Sequence, residues 1–356
     1  MGEYLVGRMR DLMAYVPGTH EEEGGVLRLN TNESPYPPSP GVTAAVSGEV
    51  EKLGFYNDPD CLALRRALAD VYGVEERSVI CTNGSDELLF LAFMAFADEK
   101  HPILLPDVTY GYYAQFAAAL GVSLERRALR EDFTVDVRDY LGAGRTIVLA
   151  NPNAPTGYAL GLEEVEEILR SSPDNVLILD EAYVDFGAES ALPLIERWDN
   201  LLIVRTFSKS RSMAGARIGF GLAAPSLIAQ VERVRNAVNL YSVSRMAQAA
   251  GEAACRENGY YMDNCRRIIS AREWTIDALR EMGFEATQSL GNFVFARHPR
   301  MKGKEIAAAL AARGILVRRW DEARVKEWLR ITVGTQEQME RLIRELLDIT
   351  AGEVLP

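Results

Sequence analysis

Lys209 and Arg217 stand eight positions apart in RTFSKSRSMAGARIGFG (Arg205–Gly221), a Ser-, Gly- and Ala-rich stretch that follows the apolar run LLIV. Lysine and arginine are seldom buried beside a strand without anionic or electrophilic company. Three other stretches also put polar residues straight after apolar runs: TNGSDE (Thr82–Glu87), NPNAPTG (Asn151–Gly157) and DEAY (Asp180–Tyr183). In open parallel sheets, ligands bind beyond the carboxyl ends of the strands, where these residues would lie. TNGSDE offers a glycine, a capping Ser85 or Asp86, and a helix start whose free N–H groups would hold a phosphate. Asp180 ends an apolar strand, where an uncompensated carboxylate is costly, so a cation or a protonated ring nitrogen is its expected partner.

Each feature has a plainer reading alone: a capped helix, a solvated strand end, turn residues. Taken together, a lysine, a strand-end aspartate, a phosphate-holding helix start and a Ser/Arg pair form the set that pyridoxal phosphate requires. The lysine supplies the Schiff base, and the aspartate keeps the pyridine nitrogen protonated so that the ring accepts electrons. A neutral amine is the nucleophile, so burial and neighbouring positive charge would activate Lys209.

The elements that must position these groups alternate along the chain. Short apolar runs, SVICT, PILL, TIVLA, VLILD and LLIVR, are separated by extended connections or by helix-like segments such as Cys61–Tyr72, Asp86–Ala97 and Leu162–Arg170. Continuous rather than alternating hydrophobicity predicts strands covered on both faces, hence an α/β fold with a mostly parallel sheet flanked by helices. After Arg235 the texture turns helical, and Gly259–Gly283 is long enough to bridge two domains. The tail reads strand, helix, strand, strand, helix, a smaller α+β domain. NTNESPYPPSPG (Asn30–Gly41), with four prolines, forms an extended arm. The expected division is an arm over 1–45, a large domain over 46–255 and a small domain over 256–356.

Composition excludes several classes. The 356 residues carry a net charge of -12, which disfavours a nucleic-acid surface. No apolar run approaches a membrane helix and the N-terminus lacks a signal-peptide core, so the cytoplasm is the expected compartment. Four cysteines without CxxC spacing and three histidines make no zinc cluster; free, mostly buried thiols are expected, and no metal. Neither GxGxxG nor GxxxxGK[ST] is present, which disfavours a nicotinamide dehydrogenase or a P-loop nucleotide hydrolase.

From LNTNESPYPPSP through TNGSDE, TYGYY, NPNAPTG, DEAYVDF and TFSKSRSMAGARIGF to LRITVGT, the chain resembles the fold-type I pyridoxal-phosphate aminotransferases, specifically the class II histidinol-phosphate aminotransferase family. The resemblance implies that Lys209 binds pyridoxal 5'-phosphate covalently, Asp180 pairs with its ring nitrogen, Tyr183 bonds its ring oxygen and Tyr110 stacks on its face. It implies that the phosphate takes N–H groups of Gly84, Ser85 and Asp86, the side chains of Thr206 and Ser208, and Arg217. Tyr56, in FYNDP, would reach the cofactor phosphate of a second copy, so a homodimer is expected. Arg330 and Arg318, with Tyr15, would hold the phosphate of an amine substrate or the carboxylate of glutamate in the other half-reaction, with a 2-oxo acid as acceptor. A planar guanidinium suits both anions. Lys209 would also act as general base and acid.

Two positions depart from the family. Ala154 stands where many relatives have Asn before PTG, leaving the amide contact to Asn153. RRWDEARVKEW replaces a different aromatic and a proline. Arg319, next to Arg318 on a strand, is expected at the surface, as is Arg211, which has no matched role. Threonine-phosphate decarboxylation and aromatic amino-acid transamination remain open on the same scaffold.

Overall fold

The computed structural model describes residues 4–10, 12 and 25–351. In chain order its first half contains the single turn α1 (Gly7–Arg10), β1 (Leu27–Leu29), α2 (Pro40–Ser47), α3 (Leu62–Tyr72), β2 (Val79–Thr82), α4 (Ser85–Phe96), β3 (Ile103–Pro106), α5 (Tyr112–Leu120) and β4 (Leu124–Arg127). Then come β5 (Thr146–Ala150), α6 (Leu162–Ser171), β6 (Leu177–Asp180), β7 (Leu201–Thr206) and β8 (Gly219–Leu222). The remainder is α7 (Pro225–Val238), α8 (Arg245–Arg256), α9 (Asn258–Glu281), β9 (Glu285–Ala286), β10 (Phe293–Arg297), α10 (Gly303–Ala312), β11 (Ile315–Val317), β12 (Leu329–Thr332) and α11 (Gln336–Ala351).

Seven strands form the main sheet, in the order β2-β8-β7-β6-β5-β3-β4. The two apolar clusters on its faces explain the continuous hydrophobic runs. Leu177, Leu179, Leu201 and Ile203 enter one cluster, while Ile178, Leu202 and Val204 enter the other. Side chains of period two therefore meet helices on both sides. β3 to β7 run parallel, and the register Ala150↔Asp180 and Asp180↔Val204 brings the carboxyl ends of β5, β6 and β7 to one edge.

β8 is antiparallel to both β7 and β2. Its glycines allow close approach of α4 and the loop before it. A Cβ at Gly221 would lie 2.9 Å from Leu88 Cδ2, and one at Gly219 would lie 2.2 Å from the Gly84 carbonyl carbon. Only glycine lets the start of α4 rest on the sheet here.

A second core joins β1, α10, α11 and most of α9 to a three-stranded sheet in the order β12-β10-β9. β1 pairs in parallel with β11, Leu27↔Ile315 to Leu29↔Val317, so the arm is built into the C-terminal layer. α9 runs unbroken from one core to the other: Tyr261 packs with the main sheet, Cys265 to Leu279 with the second core. The boundary expected at 45 falls inside α2, whose Val42 belongs to the main core. All four cysteines are free and buried. Among the described residues, no helix is long and apolar enough to cross a membrane.

Candidate active site

At the edge where β5, β6 and β7 end lies a cavity of about 190 Å³, lined by Ser85, Asp86, Tyr110, Ala154, Asp180, Tyr183, Thr206, Ser208, Lys209 and Arg217 among others. Residues spread over 133 positions of sequence, from Ser85 to Arg217, are gathered there because parallel strands expose their carboxyl ends on one side.

Asp180 is only 5 % exposed. Its Oδ2 accepts from the Tyr113 hydroxyl at 2.8 Å and its Oδ1 from the Ala182 N–H at 3.1 Å. Both donors are neutral, and burial pushes the carboxyl up to about 6 despite them. Among the described residues no cation pairs with this carboxylate. Tyr113, fully buried on α5, went unnoticed in the sequence; its only signal is its place one turn after Tyr110.

Lys209 donates from Nζ to the Thr31 carbonyl at 3.2 Å. Burial, then the positive charge of Arg330, lowers its amine to about 8. The amine is therefore poised between its two protonation states near neutral pH, as a nucleophile that also carries protons must be.

The α4 N-terminus opens on Gly84, whose φ of +80° favours glycine. A Cβ there would lie 2.5 Å from Arg217 Nη2, so the guanidinium lies directly against the loop that carries the free N–H groups. Arg217 Nη2 pairs with Asp86 Oδ2 at 3.2 Å and its Nη1 donates to Ser208 Oγ at 3.4 Å. Thr206 Oγ1 is 3.0 Å from Ser208 Oγ. Tyr110 donates its hydroxyl to Asp86 Oδ1 at 3.0 Å. Tyr183 accepts from Asn32 Nδ2 at 3.0 Å and meets Phe293 edge to face.

Asn153 does not line this cavity. Its Oδ1 accepts from Thr109 Oγ1, and its Nδ2 donates to the Val108 carbonyl and to Thr156 Oγ1. The amide holds its own loop together, and Ala154 faces the cavity instead. The contact expected of Asn153 is corrected accordingly.

Arg211 corrects a second expectation. It is buried, pairs with Asp185 at 3.2 Å and lies over the Tyr261 ring. Asp185 also meets Arg205 and accepts from Ser210, while Arg205 pairs with the buried Glu181 at 2.7 Å. DEAYVDF thus supplies two acids, one on either side of Tyr183 in sequence, that fasten the lysine loop from below. The sequence signal is two acids in DEAYVDF answered by two arginines, Arg205 and Arg211, flanking the lysine.

Arg318 and Arg330 face each other in an isolated antiparallel bridge, exchanging both backbone hydrogen bonds at 3.0 and 2.8 Å. Directly opposed residues send their side chains to the same face. Trp320 lies against both guanidinium groups, 5.7 Å from Arg318 and 5.5 Å from Arg330 between ring centre and guanidinium carbon. Arg319, by contrast, pairs with the exposed Asp321 at 2.8 Å. Tyr56 is 80 % exposed, stacks on Tyr241 and does not line the cavity of its own chain. Tyr15 lies outside the described residues.

Residues 24–346 match the family described as aminotransferase class I and II. The chain belongs to the class I and II aminotransferases. Within them, it is 45 % identical to histidinol-phosphate aminotransferase 1 of Bradyrhizobium diazoefficiens, over 96 % of this chain and 97 % of that one. It is 43 % identical to histidinol-phosphate aminotransferase 1 of Methylococcus capsulatus over 99 % of each. The fold is that of the Sinorhizobium meliloti histidinol-phosphate aminotransferase solved with pyridoxal-5'-phosphate: TM-score 0.89, 24 % identity, 99 % of each chain covered.

The cofactor of this class I and II aminotransferase is pyridoxal 5'-phosphate. The residues present fit it. Asp180 is a buried carboxylate facing only neutral donors, the partner a protonated ring nitrogen needs. The Gly84 loop is a cradle that any Cβ would fill, with Arg217 held against it.

Proposed function

We propose that this chain transfers the amino group of L-histidinol phosphate to 2-oxoglutarate, yielding imidazole-acetol phosphate and glutamate. The observation that carries this reading is the Arg318–Arg330 bridge: two guanidinium groups on one face, with Arg330 close enough to lower the Lys209 amine. A phosphate-bearing amine and a dicarboxylate each present an anion to such a pair. The 45 % identity to a histidinol-phosphate aminotransferase supports the same choice over the decarboxylase and aromatic alternatives.

Bound in this cavity, the cofactor supplies an aldehyde for covalent capture and a ring that accepts electrons. Lys209 would hold it, and its Nζ, once freed by the substrate amine, would serve as the base and acid that accepts and returns the transferred proton. Asp180 would keep the ring nitrogen protonated. Tyr183 would donate its hydroxyl to the ring oxygen, and Tyr110 would cover one ring face. Gly84, Ser85 and Asp86 N–H groups, Thr206, Ser208 and Arg217 would bind the phosphate.

The reading includes a homodimer and a cytoplasmic setting. Leu53, Phe55 and Tyr56 are more than half exposed on one connection, an unusual concentration of apolar surface that a second copy would cover, bringing Tyr56 to the partner's phosphate site.

The test is a substrate panel followed through the visible band of the bound cofactor. Histidinol phosphate shifts the band and 2-oxoglutarate restores it. Release of carbon dioxide from phosphothreonine, or a response to aromatic amino acids with none to histidinol phosphate, overturns the assignment.

A further inference from the structure

The arm residue Asn32 makes contacts that fix a direction. It is buried, with φ of +55°, and its backbone N–H donates to Thr332 Oγ1 at 2.9 Å. Having accepted that hydrogen, Thr332 has its own to give, and it gives it to Asn32 Oδ1 at 3.1 Å. This sets which end of the Asn32 amide faces which way, so Nδ2 points to the Tyr183 hydroxyl at 3.0 Å. Turning the amide over would leave the hydroxyl hydrogen of Thr332, also buried, without this acceptor. An amide nitrogen offers hydrogens only, so the Tyr183 oxygen must accept here and its own hydrogen must point elsewhere. Ala154, lining the same cavity, brings no side-chain hydrogen-bonding group.

We infer that Asn32 is a positioning residue: through Thr332 it orients the Tyr183 hydroxyl so that its hydrogen is directed into the cofactor cavity. The inference rests on the proposed placement of the cofactor's ring oxygen beside Tyr183. Asn292 Nδ2 donates to the Asn32 carbonyl at 2.9 Å, and Thr31, one residue earlier, receives the Lys209 amine. One turn of the arm therefore addresses both the lysine and the tyrosine.

A donor to the ring oxygen withdraws negative charge from it and weakens its hold on the proton it shares with the Lys209 nitrogen. The pH midpoint of the holoenzyme's visible band therefore falls when that donor is in place. Asp and Gly both tolerate the left-handed backbone of position 32. Asn32→Asp puts an acceptor where the donor was and draws the Tyr183 hydrogen back; Asn32→Gly removes the link. The midpoint is expected to rise by on the order of one pH unit in Asn32→Asp, and by less in Asn32→Gly. In a Tyr183→Phe background, which itself raises the midpoint, Asn32→Asp is expected to add little. A midpoint unmoved by both Asn32 variants, or an Asn32→Asp shift that adds in full to that of Tyr183→Phe, overturns the inference.

Should the Asn32 variants lose the cofactor, Thr332→Val and Thr332→Ser carry the test. Val frees the amide to turn and raises the midpoint, whereas Ser keeps it; equal midpoints for the two overturn the inference. These titrations contain no substrate, so a wrong amine assignment leaves their outcome untouched.

Discussion

Arg217 Nη2 lies 3.2 Å from Asp86 Oδ2, a pair formed across 131 positions at the N-terminus of α4. Both side chains are about a third or more exposed, and such pairs contribute only about 0–1 kcal/mol. The carboxylate therefore holds the guanidinium in place without binding it firmly. A phosphate arriving at the helix start, where free N–H groups already point, can replace it.

Loss of that guanidinium should be felt in cofactor retention. Arg217→Ala is expected to weaken pyridoxal phosphate binding about 10- to 100-fold, the loss of one or two charge-assisted bonds. Asp86→Asn is expected to change it less than tenfold. Equilibrium dialysis of the cofactor measures both; an unchanged affinity in Arg217→Ala would remove the phosphate from this helix start.

Lys209→Ala is expected to lower turnover by about 10⁴-fold or more while pyridoxal phosphate still binds non-covalently. Product formation over hours, together with mass spectrometry after borohydride reduction, checks both halves. A reduced covalent adduct in Lys209→Ala, or residual turnover within a hundredfold, would place the nucleophile elsewhere.

In protein stripped of its cofactor, buried Asp180 and Lys209 each cost stability, with opposite dependence on pH. The Asp180 carboxyl, raised to about 6 from 3.8, binds more protons folded than unfolded between those values, so its contribution worsens as pH rises through them. The full cost, on the order of 3 kcal/mol, stands above pH 6. Asp180→Asn should therefore melt higher than wild type at pH 7.5, with the gap closing toward pH 4. Lys209, lowered to about 8 from 10.5, costs most below pH 8 and is relieved as pH rises to 10.5. Lys209→Met should stabilise at pH 7 and do so less at pH 10. Calorimetry of the stripped proteins decides; the reverse ordering would contradict the burial of either group.

Substrate recognition should divide along the bridge between β11 and β12. Arg330→Ala is expected to raise KM for histidinol phosphate and for glutamate by about 10- to 100-fold each, because one guanidinium serves both anions. Trp320→Leu keeps both charges but removes the surface they lie against, and is expected to raise both KM values by less, about 2- to 10-fold. Steady-state kinetics on the two half-reactions tests this. A selective loss for one substrate only would show that the arginines do not share it.

Subunit mixing tests Tyr56. In the proposed homodimer, Lys209→Ala subunits and Tyr56→Ala subunits, each impaired alone, should recover activity after mixing and exchange. One site of the mixed dimer then has an intact lysine and an intact tyrosine from its partner. Absence of recovery, with exchange verified by mass, would put Tyr56 outside the partner's site.

The strands that carry chemistry were legible because they are buried on both faces: TIVLA, VLILD and LLIVR are each apolar but for one residue, and each ends within a residue of the boundary its pattern predicts. β4, LERR, was not, since an edge strand half open to solvent keeps its charges. β8, GFGL, was hidden by its glycines, which serve the approach of α4 and carry no period-two signal. Lys209, Asp180 and Arg217 stood out because charges at strand ends need partners. Tyr113 and Asn32 did not, as each acts on a residue 67 or 151 positions away. Arg211 misled for the same reason: with no matched role it was expected at the surface, while Asp185, 26 positions away, supplies a buried partner.

The parallel pairing of β1 with β11 has a consequence for how the enzyme comes into being. Asn32 bonds to Thr332 across 300 positions, and the arm that meets Lys209 is held by a strand that a ribosome makes long after the arm itself. The central sheet can form on a growing chain, but its lysine waits for an arm that cannot settle until β11 and β12 have emerged. Contacts of such separation form late and slowly. Catalytic competence is thus expected to arrive only once β12 has been made, and a chain released before β12 would lack a working site.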